Sequence, residues 1–182
     1  ASINEELDKP TKCMNWLKKC AEIMVENNVP IKWITPTGFP VLQDYMQFST
    51  QEVKTKIGDK ATHVSFRVGN DRKCKRSNRN GISPNFVHSL DAALLTRSVI
   101  KANEHGIYDF AMIHDSYGTH SNNCEIFSKI LREECLSLFS VDLLRDFKVQ
   151  LQSLNENIQL PDIPEYGNFD VEEVISSKYF FS

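Results

Sequence analysis

The stretch Phe110-Ala111-Met112-Ile113-His114-Asp115-Ser116-Tyr117-Gly118-Thr119-His120 constrains this 182-residue chain more than any other. An apolar run, Tyr108–Ile113, reads as a strand that delivers an acid to its end, and a polar turn containing Gly118 follows. Helical periodicity flanks it on both sides. Before it, Ser83-Pro84 reads as N-cap and first helical position, with Phe86, Leu90 and Leu94 stepping by four and His105-Gly106 as the stop. After it, residues 122–139 place Ile126, Phe127, Ile130, Leu131, Leu138 and Phe139 inward, and 141–154 read as a further helix. A strand end set between helices predicts an α+β fold with helices dominant. Carboxylates on strand ends can hold divalent cations for nucleotidyl transfer, which makes Asp115 a candidate ligand. The same residues also suit a structural aspartate closing an Asx-turn.

The N-terminal half is organised differently. Residues 10–27 read as an amphipathic helix through Cys13, Trp16, Leu17, Cys20, Ile23 and Met24, with Pro10 in its first turn and Asn27-Asn28 as its end. Ile31–Thr35 and Val41–Tyr45 read as strands around the turn Pro36–Pro40. Residues 46–61 read as an exposed arm with Thr62–Val68 as its return strand, and Asp71–Asn80 as a basic loop. Pro161 and Pro164 mark an extended segment, and the aromatic residues of 178–182 are expected to pack.

Charge sharpens the picture. The overall charge is −3, but Gln51 to Arg79 holds nine Lys or Arg against three acids and is +6, which leaves −9 for the rest. A basic block on an acidic body suits a polyanion partner, and equally a solvated surface loop. The candidates for nucleic-acid contact are Lys54, Lys56, Arg67, Arg72, Lys73, Lys75, Arg76 and Arg79. Five cysteines with no Cys-x-x-Cys pair suggest reduced thiols rather than a zinc knuckle or disulfide framework. No apolar run reaches membrane-span length, the polar segment Ala1 to Pro10 is no signal peptide, and the missing initiator methionine suggests a cut from something longer. There is no Gly-x-Ser-x-Gly elbow and no P-loop.

Four motifs together resemble bacteriophage-type single-subunit RNA polymerases. His114-Asp115-Ser116-Tyr117-Gly118-Thr119-His120 resembles that family's palm motif. Trp33-Ile34-Thr35-Pro36-Thr37-Gly38-Phe39-Pro40-Val41 resembles the approach to its promoter-specificity loop, Gly81–Asp91 the helix start before the palm motif, and Phe169-Asp170 with Tyr179–Ser182 its C-terminal end. The resemblance implies the helix-rich palm/fingers portion of a right-hand polymerase with a β-hairpin specificity arm: 1–80 on the fingers side, 81–182 in the palm. It implies that Asp115 binds catalytic Mg2+, that His114 supports it, and that His88 lies near the templating pair or product. The implied partners are double-stranded promoter DNA, template DNA, RNA product, ribonucleoside triphosphates and the N-terminal part of the polymerase, with no membrane. The implied setting is a host cytoplasm rather than a mitochondrion, because Asp-Ser-Tyr-Gly-Thr is closer to the phage branch. The family's earlier palm aspartate and its lysine–tyrosine fingers helix have no counterpart here, so the fragment alone should be inactive. The palm of a family A-like DNA polymerase is the alternative, though a glutamate normally follows His-Asp there. A non-catalytic nucleic-acid-binding module is another. A His-Asp phosphohydrolase would set the doublet on a helix with further histidines upstream, and zinc on His114, His120 and Cys124 fits no common spacing.

Overall fold

The structure, a computed structural model, describes residues 7–180. Residues 1–6, most of the segment expected to be no signal peptide, and Phe181 and Ser182 of the expected aromatic packing lie outside the described residues. The element order is α1 (Asp8–Glu26), β1 (Ile31–Ile34), β2 (Pro40–Gln43), β3 (Met46–Ile57), β4 (Lys60–Lys73), α2 (Lys75–Glu104), β5 (Ala111–Ile113), β6 (Ser116–Gly118), a 3-10 turn (Ser121–Asn123), α3 (Cys124–Phe139), α4 (Leu143–Ser153) and the short α5 (Glu173–Ser176). Each sheet is an antiparallel pair, β1–β2, β3–β4 and β5–β6, so the α+β reading holds.

Helix α1 forms because its apolar residues recur every three to four positions, and it buries Trp16, Leu17, Cys20, Ala21 and Met24. It ends in a Schellman motif: Asn28 takes φ +55, and the amides of Val29 and Asn28 donate to Met24 and Val25. Its buried face packs on α2, and the largest core cluster joins Trp16, Trp33, Ile82, Phe86 and Leu90 to Phe147 and Leu151 of α4. Phe147 is the hub, with ring centroids 4.8 Å from Phe86, 5.5 Å from Trp33 and 6.3 Å from Trp16. The indole N–H groups are satisfied inside this packing, Trp33 by Ser89 Oγ and Trp16 by the Pro161 carbonyl, both at 3.1 Å. Helix α2 crosses residue 80, and the cluster draws on both sides of it.

Three local expectations are corrected. The stretch 71–80 is not a loop: β4 runs to Lys73 and α2 starts at Lys75, carrying Pro84 inside it. Proline lacks the amide for the ladder. The early turns are held instead by buried Asn78, whose Nδ2 donates to Tyr45 O (2.8 Å) and Cys74 O (3.0 Å) while its backbone carbonyl accepts from Gln43 Nε2 (2.7 Å). Next, His114 to Thr119 is not a plain turn, because Ser116–Gly118 returns as β6. The strand before it shrinks to Ala111–Ile113: Tyr108 and Ile113 are about 70 % exposed, while Phe110 and Met112 pack against Ala102, Ile107, Phe127 and Ile130. Finally, Ile126 and Phe139 point outward at the two ends of α3, whereas Phe127, Ile130, Leu131, Cys135 and Leu138 are buried. At the C-terminus Phe180 packs and Tyr179 is exposed. The five cysteines are free.

Ser98 on α2 is fully buried and its hydroxyl has no partner among the described residues. An orphaned buried polar group costs roughly 1–3 kcal/mol, and alanine also favours helix. Ser98→Ala is therefore expected to raise the midpoint of thermal unfolding. A lower midpoint would show that the hydroxyl has a partner after all.

Candidate functional site

The candidate cleft is built by two elements. On α2, His88, Asp91, Ala92 and Leu95 follow the i, i+3, i+4, i+7 spacing that puts side chains on one stripe. Opposite them the β5–β6 hairpin presents His114 and Asp115, and all six residues line one open cleft of about 780 Å³. The hairpin loop has just two residues, since Ile113 pairs with Ser116. His114 accordingly takes φ +54, a left-handed conformation that costs a non-glycine residue roughly 1–2 kcal/mol. Strain of this kind is retained where a side chain must be aimed. The hairpin is also tight: a Cβ on Gly118 would stand 3.0 Å from the Ala111 carbonyl oxygen, so glycine permits the close approach of the two strands.

Electrostatics ties the two walls together. Burial pushes the Asp91 carboxyl above its ordinary range, His88 pulls it back down, and the charge of Asp115 pushes it up. The Tyr117 phenol is raised by burial first, then by Asp91 and Asp115. The Asp91 carboxyl and Asp115 face one cleft, and a cation there would relieve the repulsion that raises Asp91. Among the described residues no group of three or more His, Cys, Asp or Glu is arranged to hold a metal. The donor set fits a hard cation that takes one or two carboxylates and completes its shell with water and substrate oxygens, which is the habit of Mg2+. It does not suit zinc, and His120 lies instead 3.5 Å from Asp109.

Of the expected site residues, His88, His114 and Asp115 are thus brought together. Asp91, which the sequence marked only as part of a motif, joins them. Its signal was its position three residues after His88 on a helix.

The basic residues divide into two groups. In the β3–β4 hairpin, Lys54 pairs with His63, Lys56 with Ala61, Glu52 with Ser65 and Thr50 with Arg67. Side chains opposite one another share a face, so Lys54, Lys56, His63 and Arg67 lie on one side, Arg67 stacking over Phe48 at 5.3 Å. Val53, Ile57, Val64, Phe66 and Val68 lie on the other. Arg72 and Arg76 are exposed. Nearer the body, cations are tied internally: Lys73 to Asp44, Lys75 to Glu26 at 2.6 Å and Arg79 to Glu22 at 2.9 Å. The arm is rooted by Tyr45, whose amide donates to Asn78 Oδ1 and whose ring edge lies where a Cβ on Gly81 would approach within 2.8 Å. Asn85 Nδ2 donates to Tyr45 Oη and to Gln43 Oε1. No helix among the described residues is long and apolar enough to cross a membrane.

The family model of DNA-dependent RNA polymerase matches residues 1–157. The chain is 34% identical over 181 residues to DNA-directed RNA polymerase 1, mitochondrial, of Nicotiana sylvestris, and 32% identical over 182 residues to DNA-directed RNA polymerase 3, chloroplastic, of the same plant. It is 30% identical over 181 residues to DNA-directed RNA polymerase 2A of Nicotiana tabacum. Each match covers 100% of this chain, but 18% of the first two relatives and 53% of the third. The first two relatives carry organellar names, so the expected phage branch and host cytoplasm gain no support from them.

Proposed function

The chain belongs to the DNA-dependent RNA polymerase family, and from that premise we propose that it is the C-terminal, palm-and-fingers portion of a template-directed RNA polymerase whose Asp115 holds catalytic magnesium. The observation that carries this reading is the convergence of His88, Asp91, His114 and Asp115 on one cleft. Asp115 supplies the charged oxygen, and His114 fixes its direction through the constrained hairpin loop. Asp91 adds a second carboxyl from the opposite wall, raised above its ordinary range by burial and by Asp115. Held there by Asp115, magnesium would supply Lewis-acid chemistry, lowering the pKa of an attacking 3′-hydroxyl and offsetting charge on a leaving pyrophosphate. In this reading His88, on the wall opposite Asp115, lies near the templating pair or the growing product.

The arm serves promoter recognition in this reading. A two-stranded ribbon fits the major groove, and Lys54, Lys56 and Arg67 lie on one face of it, with Arg72 and Arg76 near its root. Lys73, Lys75 and Arg79 already have internal acidic partners, so their share of phosphate contact is smaller. Residues 1–80 form the fingers side and 81–182 the palm side. The partners are promoter and template DNA, ribonucleoside triphosphates, RNA and the rest of the polymerase. The relatives' names favour a mitochondrial or chloroplast setting over a host cytoplasm.

The test compares the full-length protein with this fragment. The full-length protein is expected to make RNA dependent on template and magnesium. The fragment alone is expected to make none and to bind DNA weakly, with each phosphate contact adding about one unit to the salt slope. Template-dependent synthesis by the fragment, or none by the full-length protein, would overturn the proposal.

A further inference from the structure

Arg132 of α3 has no part in the cleft, yet it makes three contacts with one distant segment. Its Nη1 donates to the carbonyls of Val174 (2.7 Å) and Ser177 (2.8 Å), and its guanidinium lies 5.0 Å from the centroid of the Phe180 ring. These are charge-assisted bonds to backbone, made by a half-buried group. Two carbonyls and a ring face are satisfied by one planar cation, a task for which arginine is suited and lysine is not. The segment so held includes the four-residue α5, which packs on α3.

The held segment packs toward the site. Val174 and Phe180 lie against the cluster of Ala93, Leu94, Leu131, Cys135 and Leu138, and Tyr117 packs against that same cluster. Tyr117 follows Asp115 by two residues on β6, and its ring lies 6.2 Å from that of Phe127. Among the described residues the β5–β6 hairpin pairs with no further strand, so its placement depends on side chains: Phe110 and Met112 against Ala102, Ile107, Phe127 and Ile130, and Tyr117 against both clusters.

From these contacts we infer that Arg132 is a positioning residue: it clamps residues 174–180 onto α3, closes the cluster behind Tyr117, and so fixes the hairpin that carries Asp115. The link to catalysis rests on the polymerase reading above, whereas the link to the hairpin does not.

The experiment uses full-length protein carrying Arg132→Met, which keeps an apolar stem and removes the guanidinium. Hydrogen exchange of the amides of residues 112–118, measured without metal, is expected to speed up by about tenfold. The magnesium concentration giving half-maximal RNA synthesis is expected to rise several-fold, with kcat reduced. Arg132→Lys is expected to recover part of both effects, because it retains the charge and one donor path, and it carries the same test should Arg132→Met fail to fold. Arg97→Met is the control. It removes a comparable tie between α2 and α3, to Glu134 and Ser137, and should lower thermal stability without changing exchange at 112–118. Unchanged exchange at 112–118 with loosening confined to 174–178 would overturn the inference. So would an equal effect from Arg97→Met. The exchange result decides the clamp even if the protein makes no RNA.

Discussion

Asp115→Asn in the full-length polymerase is expected to lower RNA synthesis by about three orders of magnitude or more, with folding and promoter binding retained. Asparagine keeps the size of the side chain and one acceptor oxygen but loses the charge by which magnesium is mainly held. Metal-ion catalysis contributes several kcal/mol, and about 1.4 kcal/mol corresponds to a factor of ten in rate. The residue is exposed at a hairpin tip, so the change removes no core packing and relieves repulsion with Asp91. Single-turnover extension of a primed template, beside a thermal melt of the same sample, separates chemistry from folding. Asp91→Asn should be much milder, because burial and the Asp115 charge already make its carboxyl bind a proton more readily than an ordinary aspartate. Retention of a tenth or more of the activity by Asp115→Asn would leave the aspartate as a turn former only.

Exchanging the arm is the second large effect. Residues 47–72 replaced by the corresponding hairpin of a relative with a different promoter should redirect initiation to that promoter. The change in preference should be about a hundredfold or more, since each altered base pair contributes roughly 1–3 kcal/mol. Elongation on a primed template should stay within about twofold, because base-edge contacts choose the site and the cleft performs the chemistry. The exchange keeps Asp44 with Lys73 and Tyr45 with Asn78, the ties that seat the root. Promoter preference that stays with the body after the exchange would remove the arm from recognition.

Much of this was legible in the chain. The apolar spacing of α1 and its Asn27-Asn28 end determined that helix from residues close together, and the alternation of Thr62–Val68 was enough to show an arm. Its full length was less visible, because Thr50 and Gln51 carry no apolar pattern and pair with Arg67 and Phe66 across the hairpin. The start of α2 was misread for a physical reason: Ser83-Pro84 is a good local start signal, but Asn78, Gln43 and Tyr45 supply bonds from elsewhere in the chain that carry the helix back to Lys75. The outward turn of Ile126 and Phe139 was likewise hidden, since periodicity gives a stripe but not where its neighbours end. At the site, the His114-Asp115 doublet stood out. The place of Asp91 opposite it depends on a meeting between α2 and the β5–β6 hairpin that no local spacing encodes.

Helix α2 also acts as a measured spacer. Asn78 seats the arm near one end, and Asp91 faces the cleft thirteen residues on, about 20 Å at 1.5 Å per residue. One inserted residue between them would turn the two stations by about 100° relative to each other, and only whole multiples of the helical repeat would restore their phase. Length variation among relatives is therefore expected at the arm's tip near Gly58 and Asp59, where it shifts nothing else, while the stretch from Asn78 to Asp91 keeps a constant residue count.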